Sequence, residues 1–163
     1  MGVGKSAIGR GLAKSLKLDF LDTDDMLVAK QGLSINDIFL QYGEPYFREL
    51  ESQLLTEIDY TKSQIIATGG GLPITGDNLE LMKQKGVVVF LKDELEPIAA
   101  RLFRGKHKRP AIKELNIEEI KYKLKSMLDI RTPIYSRSHL TFLRSDDLSK
   151  DINELVIYLK MYL

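Results

Sequence analysis

The order of apolar runs and helical stripes along this chain predicts a three-layer α/β fold built on a parallel sheet. Three observations carry that expectation. Short apolar runs alternate with amphipathic stretches from end to end, the pattern of strands joined by crossover helices. Val87-Val88-Val89-Phe90-Leu91 is apolar on both faces, as a central parallel strand must be. Finally, Gly2-Val3-Gly4-Lys5-Ser6 opens a helix, and a helix N-terminus behind flexible glycines is a place where α/β folds hold anions.

Gly2-Val3-Gly4-Lys5-Ser6 is the second half of the pattern Gly-x4-Gly-Lys-[Ser/Thr], the phosphate-binding P-loop. Glycines let successive N–H groups point into one cavity, and the following helix adds its unpaired amides and the positive end of its dipole. Gly2, Val3, Gly4, Lys5, Ser6 and Ala7 are therefore the candidate nucleotide-binding residues. Lys5 would reach the β- and γ-phosphates, and the Ser6 hydroxyl would ligate Mg²⁺. A chance Gly-x-Gly-Lys-Ser arises in roughly one chain of this length per hundred or fewer. Ile8, Leu12, Ala13 and Leu16 continue as an apolar helical stripe, the context a P-loop requires. The first glycine of the pattern falls ahead of Met1, as does the strand that should precede it. The expectation is a truncated or late-started sequence, with a strand of about five to seven apolar residues upstream. That strand would lie between those at 65–67 and 87–91.

The first helix spans about 5–16. Phe20-Leu21 is a short strand with Asp19, Asp22 and Asp24 around it, and its C-terminal end is where open α/β sheets keep their ligands. A short helix over 25–31 ends at Gly32. Ser34-Ile35-Asn36-Asp37 reads as a capping box and opens a helix that stops at Gly43. A longer helix near 45–60 places Phe47, Leu50, Leu54 and Ile58 on one face. Gln64-Ile65-Ile66-Ala67 is a strand running into Thr68-Gly69-Gly70-Gly71. Asp77-Asn78 caps a helix ending at Gly86, and the strand at 87–91 is followed by a helix near 94–104. Gly105-Lys106-His107-Lys108-Arg109-Pro110 is a polar basic loop. Asn116 with Glu119 caps a helix over about 117–130, leading into a turn at Arg131-Thr132-Pro133-Ile134-Tyr135. Leu140-Thr141-Phe142-Leu143 is the last strand, and Ile152, Leu155, Val156 and Leu159 make the last helix amphipathic. With the upstream strand the sheet would have five strands in one compact domain over residues 1–163.

Composition narrows the function. The chain has 163 residues, 44% hydrophobic and 29% charged, with 24 Lys+Arg against 23 Asp+Glu. A net charge of +1 provides no bulk field to recruit nucleic acid or a membrane surface. Cysteine is absent, which excludes disulfides, thiolate metal sites and a Cys nucleophile. No run approaches the ~18 apolar residues of a membrane span, and nothing at the start reads as a signal peptide. A cytoplasmic protein is expected. His107 and His139 stand alone and read as surface or satisfied residues rather than metal ligands.

Taken together, Gly2-Val3-Gly4-Lys5-Ser6, Asp22-Thr23-Asp24, Phe47-Arg48, Thr68-Gly69-Gly70-Gly71, Arg109-Pro110 and Arg131-Thr132-Pro133-Ile134-Tyr135 resemble shikimate kinase in order and spacing. The resemblance spans nearly the whole chain and departs from the family only at the start. It implies the fold of the nucleoside monophosphate kinases, a P-loop NTPase type with sheet order 2-3-1-4-5. The upstream strand would be the first and central one in that order. It also implies ATP-dependent phosphorylation of the shikimate 3-hydroxyl, in the route to aromatic amino acids, by a monomer whose partners are ATP, Mg²⁺ and shikimate.

The resemblance assigns roles. Asp22 would contact Mg²⁺ through water. Asp24 would hydrogen-bond the acceptor hydroxyls and take the proton of the attacking one. Arg48 and Arg131 would clamp the shikimate carboxylate, a task for guanidinium forks rather than lysines. Gly69, Gly70 and Gly71 would let backbone approach the ring. The shikimate-binding region would cover about 24–60, and residues 105–114 would form a mobile lid with Arg109 meeting the phosphates. Arg101, or else Arg104, would stack on adenine. Plainer readings stand beside each role. The aspartates could simply end a strand and cap a helix. Arg48 could be a solvated helix arginine pairing with Glu44 or Glu51, the glycines a turn, and the basic loop a solvated stretch or weak nucleic-acid patch. A related kinase for another sugar acid such as gluconate, or an inactive nucleotide-binding domain, is the alternative function.

Overall fold

The structure, a computed structural model, describes residues 2–108 and 110–162. Helices and strands alternate as the sequence predicts. Helix α1 (Lys5–Leu16) leads to β1 (Asp19–Asp22), α2 (Thr23–Gln31), α3 (Ile35–Glu57) and β2 (Gln64–Ala67). Then follow α4 (Asn78–Lys85), β3 (Val89–Lys92), α5 (Leu95–Arg104), α6 (Ile117–Tyr135), β4 (Leu140–Leu143) and α7 (Leu148–Leu159). Each strand pair is parallel: β1 with β2 in the register Asp19 to Gln64, and β3 with β4 in the register Val89 to Leu140.

Among the described residues the sheet is in two halves, β1-β2 and β3-β4, rather than one continuous five-stranded sheet. Strands β2 and β3 both line a cleft of about 440 Å³ between the halves, with Ile8 and Leu12 of α1 and Leu155 of α7 on its walls. Ile8, Leu12, Phe142 and Leu155 form one core, packed against Ile65, Val89 and Leu91. Leu155 is fully buried, and a leucine so placed contributes about 1.5–3 kcal/mol through its removal from water.

Local signals explain most boundaries. The Asp22 side chain caps α2, and Gly32 ends it in the left-handed conformation. Ser34 caps α3 through the Asp37 N–H at 3.1 Å. The break expected at Gly43 is a kink within α3, where Gly43 leaves helical geometry at φ 80° and ψ 172° before Pro45 restarts the helix. Beyond it Phe47, Leu50 and Leu54 face Leu27 and Ile38 in a second core, as their spacing requires. Asn116 and Glu119 make the reciprocal capping box of α6, with bonds of 3.0 and 2.7 Å.

Two expectations change. The helix expected over 117–130 continues to Tyr135, so Arg131 sits inside α6 and not in a turn after it. Pro133 removes one backbone donor, yet the last turn holds because the Tyr135 hydroxyl donates to the Gly70 carbonyl and its ring packs on Phe90 at 5.1 Å. The basic loop is also less bare than its charges suggest. Two short 3₁₀ turns, at 106–108 and 110–112, end with Ile112 buried against Ile98, Leu102, Ile120 and Leu124.

Candidate active site

The loop before α1 takes the conformation its glycines allow. Gly4 caps the helix at φ 94°, a left-handed value that favours glycine, and its carbonyl accepts the first helical bond from Ile8 at 3.0 Å. Ser6 follows in the first turn, and its hydroxyl donates to Asp22 Oδ2 at 2.7 Å. Asp22 Oδ1 accepts from the Asp24 N–H at 3.1 Å. The aspartates thus do end a strand and cap a helix, and Asp22 also reaches the glycine loop.

Electrostatics mark Lys5 and Asp24. Burial pushes the Lys5 ammonium below its ordinary range; Asp24 and Asp22 oppose the shift, and Arg131 adds to it. Burial, and then the like charge of Asp22, raise the Asp24 carboxyl, against the pull of Lys5. Lys5 and the two aspartates therefore act on one another, with burial the larger influence on both the ammonium and the Asp24 carboxyl.

Helix α3 brings Arg48 and Glu51 to the same cleft, one turn apart. Arg48 Nη1 donates to Glu51 Oε2 at 2.6 Å, and its Nη2 and Nε donate to Glu44 Oε1 at 2.6 and 3.2 Å. The pairing is the one the plainer reading named, and its Glu44 leg is exposed, with the Glu44 side chain 62% exposed; its Glu51 leg is not, the Glu51 side chain being 0% exposed and that of Arg48 19%. Burial works against the Arg48 charge, but hydrogen bonds to Glu51 and Glu44 outweigh it and hold the guanidinium above its usual value. Burial raises the Glu51 carboxyl in spite of Arg48. Glu51 Oε1 is buried without a hydrogen-bond partner among the described residues.

The glycine turn after β2 lies between these groups. A β-carbon on Gly69 would stand 2.6 Å from Glu51 Oε1 and 2.9 Å from Asp24 Oδ1, and one on Gly71 would collide with the Arg48 guanidinium. Glycine is needed here so that charged side chains can approach the backbone. The Gly69 N–H donates to Thr23 Oγ1 at 3.1 Å, so the fold occupies this donor. Arg131 reaches the cluster from α6. Its charge acts on Tyr135, whose hydroxyl donates to the Gly70 carbonyl, and on Lys5 and Glu51. Burial raises the Tyr135 hydroxyl against that arginine. Lys5, Gly69, Gly70, Arg131 and Tyr135 line one cavity of about 170 Å³.

The structure therefore gathers Lys5, Ser6, Asp22, Asp24, Arg48, the three glycines and Arg131. Arg101 stands apart, docked on the loop: Nε donates to the Gly2 carbonyl at 3.0 Å and Nη2 pairs with Asp93. Arg104 is exposed at the end of α5, and Arg109 lies outside the described residues. His139 is satisfied, its Nδ1 accepting from the Val88 N–H at 3.1 Å. Sequence reasoning gave Glu51 and Tyr135 no part in the site. Their signals were spacing: Glu51 is three residues after Arg48 and Tyr135 four after Arg131, both on the arginine's own helix face.

Comparison with known proteins bears on the same residues. A family description reading "Shikimate kinase" matches residues 1–160. A shikimate kinase of Parabacteroides distasonis is 37% identical over 142 residues, which is 87% of this chain and 82% of that protein. The crystal structure of shikimate kinase from Bacteroides thetaiotaomicron superposes with a TM-score of 0.91 at 28% identity, covering 98% of this chain and 94% of the other. That of the Acinetobacter baumannii enzyme in complex with shikimate gives 0.86 at 36% identity, covering 99% and 89%. A glycine loop, an aspartate pair and two arginines converge on one cleft in a chain matched nearly end to end, and the chain belongs to the shikimate kinase family.

Proposed function

We infer that this chain carries out its family's reaction: transfer of the ATP γ-phosphoryl group to the 3-hydroxyl of shikimate, giving shikimate 3-phosphate and ADP. The observation that carries the reading is the convergence on Gly69 and Gly71 of Asp24, the Glu51–Arg48 pair and, through Tyr135 and Gly70, Arg131. Phosphoryl transfer asks little covalent chemistry of the protein and much positioning and charge stabilisation. Lys5 and the amides of the loop through Ala7 hold the triphosphate, whose charge offsets the burial of the Lys5 ammonium. Asp24 accepts a hydrogen bond from the acceptor hydroxyl and takes its proton as the new bond forms. Arg48 and Arg131 grip the acceptor's carboxylate. The partnerless Glu51 Oε1 beside Asp24 supports an acceptor that carries hydroxyl groups as well as a carboxylate.

Magnesium fits the residues present. Ser6 and Asp22 already meet as a hard-oxygen pair, and the described residues contain no cluster of three or more acidic, His or Cys groups that would make an all-protein cage. Mg²⁺ commonly binds through one or two carboxylates, waters and substrate phosphates. Ser6 would ligate it directly and Asp22 through water; when bound it neutralises charge on the phosphates. Arg109 would stabilise the transferring phosphoryl group from the lid at 105–114, and Arg101, already on the loop, would reach the adenine. For the sheet, a strand seated in the cleft between β2 and β3 would complete the order 2-3-1-4-5, and the apolar Ile65, Ile66, Val88 and Val89 on its walls support that. No helix among the described residues is long and apolar enough to cross a membrane, and we take the enzyme to act as a cytoplasmic monomer.

The test is a coupled assay of ATP consumption with shikimate against gluconate. Turnover with shikimate alone is expected. Turnover with gluconate and none with shikimate would move the acceptor assignment to another sugar acid, and binding of ATP without turnover would leave a nucleotide-binding domain.

A further inference from the structure

We propose that the buried Arg144–Asp151 pair is a positioning device for the nucleotide loop, setting the affinity for ATP from behind the site. A phosphate loop works only if its carbonyls are turned away and satisfied, so that its amides converge on the ligand. The Val3 carbonyl accepts from Arg144 Nη1 at 2.6 Å, across 141 residues of sequence. Arg144 follows β4 directly, and its N–H donates to the Lys92 carbonyl at 2.8 Å, which ties its backbone to the end of β3. Its Nε donates to Asp151 Oδ2 at 3.0 Å, with side-chain exposures of only 7% and 1%. The second Asp151 oxygen accepts from the Ser145 N–H at 2.9 Å and the Ser145 hydroxyl at 2.8 Å.

Every contact in this chain fixes the guanidinium against the loop. A β-carbon on Gly4 would lie 2.8 Å from Arg144 Nη1, so the arginine packs directly on the loop's last glycine. Burying an ion pair is costly and is weak support for stability by itself. What this pair supplies is a planar fork holding a carboxylate and a loop carbonyl at once, which an ammonium cannot do in the same geometry. Arg101 with Asp93 holds the preceding Gly2 carbonyl, so two successive loop carbonyls each rest on an arginine anchored by an aspartate. The inference rests on the nucleotide site proposed above.

The experiment is calorimetric titration of the full-length wild type, Arg144→Lys and Asp151→Asn with MgATP and, separately, with shikimate, each variant checked for a cooperative thermal transition. A loop shifted by a fraction of an ångström should raise the MgATP Kd roughly 10- to 100-fold in Arg144→Lys. Asp151→Asn should act in the same direction, and the shikimate Kd should stay within about twofold. An unchanged MgATP Kd in a folded variant overturns the positioning role and leaves the nucleotide site standing. Equal weakening of both ligands, or failure of both variants to fold, assigns the pair to general stability and also overturns it. A wild type that does not bind MgATP overturns the nucleotide site and the positioning role together.

Discussion

The Ser6 hydroxyl and the Asp22 carboxylate meet at 2.7 Å, joining the first turn of α1 to the end of β1. In the metal site proposed above, the bond would set a direct and a water-mediated Mg²⁺ contact side by side. Asp22→Asn keeps the α2 cap, because asparagine caps as well as aspartate, but removes the charge. Loss of such an outer contact should weaken Mg²⁺ roughly 10- to 100-fold. A Mg²⁺ titration of the initial rate reads it, and an unchanged Mg²⁺ requirement would remove Asp22 from the metal site.

Asp24 predicts a pH profile. Burial and Asp22 raise its carboxyl above the ordinary 3.8, and in the role proposed for it the ionised form accepts the hydroxyl proton. The kcat/KM for shikimate should therefore rise with pH along an acid limb displaced above the ordinary carboxylate range. Stability runs the other way. Between the ordinary and raised values the folded state binds more protons than the unfolded one, so this carboxyl costs stability as pH rises through that window. Asp24→Asn should lower kcat roughly 10²- to 10⁴-fold, abolish the limb and raise the melting temperature at neutral pH. A limb that persists in the variant belongs to another group, with Glu51 the first to examine.

Glu51 predicts a stability cycle. Arg48→Ala leaves its carboxylate buried with Glu44 nearby and no cation bonded to it, a change that costs on the order of 3 kcal/mol. Adding Glu51→Gln should recover most of the loss, since the uncompensated charge is then gone. Calorimetric melting of the wild type, both single variants and the double variant checks this. Strictly additive losses would mean that the two residues do not act as a buried pair.

Those residues also show how far the sequence could be read. The glycine loop, the Asp22 cap, the Gly32 stop and the Asn116–Glu119 box are local, and each boundary they predict is present within a residue or two. Tertiary facts were less accessible. Pro133 reads as a helix breaker, yet α6 runs through it, with Tyr135 fixed on Gly70 and Phe90 and Ser136 bonded back to Thr132, and so Arg131 lies on a helix. The solvated reading of Arg48 followed from its charged neighbours, because the burial of Glu51 depends on elements far along the chain. Arg144 gave no signal at all: the carbonyl it holds belongs to Val3, 141 residues away. Ile112 lies just past the basic loop, and its burial is set by residues of α5 and α6 on either side of it in sequence.

The measurement that most directly tests the acceptor site is the calorimetric Kd of Arg131→Ala for shikimate, with MgATP titrated in parallel. Arg131 acts on Glu51 and Tyr135, as Arg48 does, and in the proposed clamp its loss removes one charge-assisted contact to the carboxylate. Such a loss costs about 2–5 kcal/mol, or roughly 30- to several-thousand-fold in affinity. Arg131→Lys should rescue poorly because an ammonium lacks the fork. The account predicts that shikimate weakens by that factor while MgATP binding barely moves. Equal weakening of both ligands, or none for shikimate, would contradict a carboxylate clamp at Arg131.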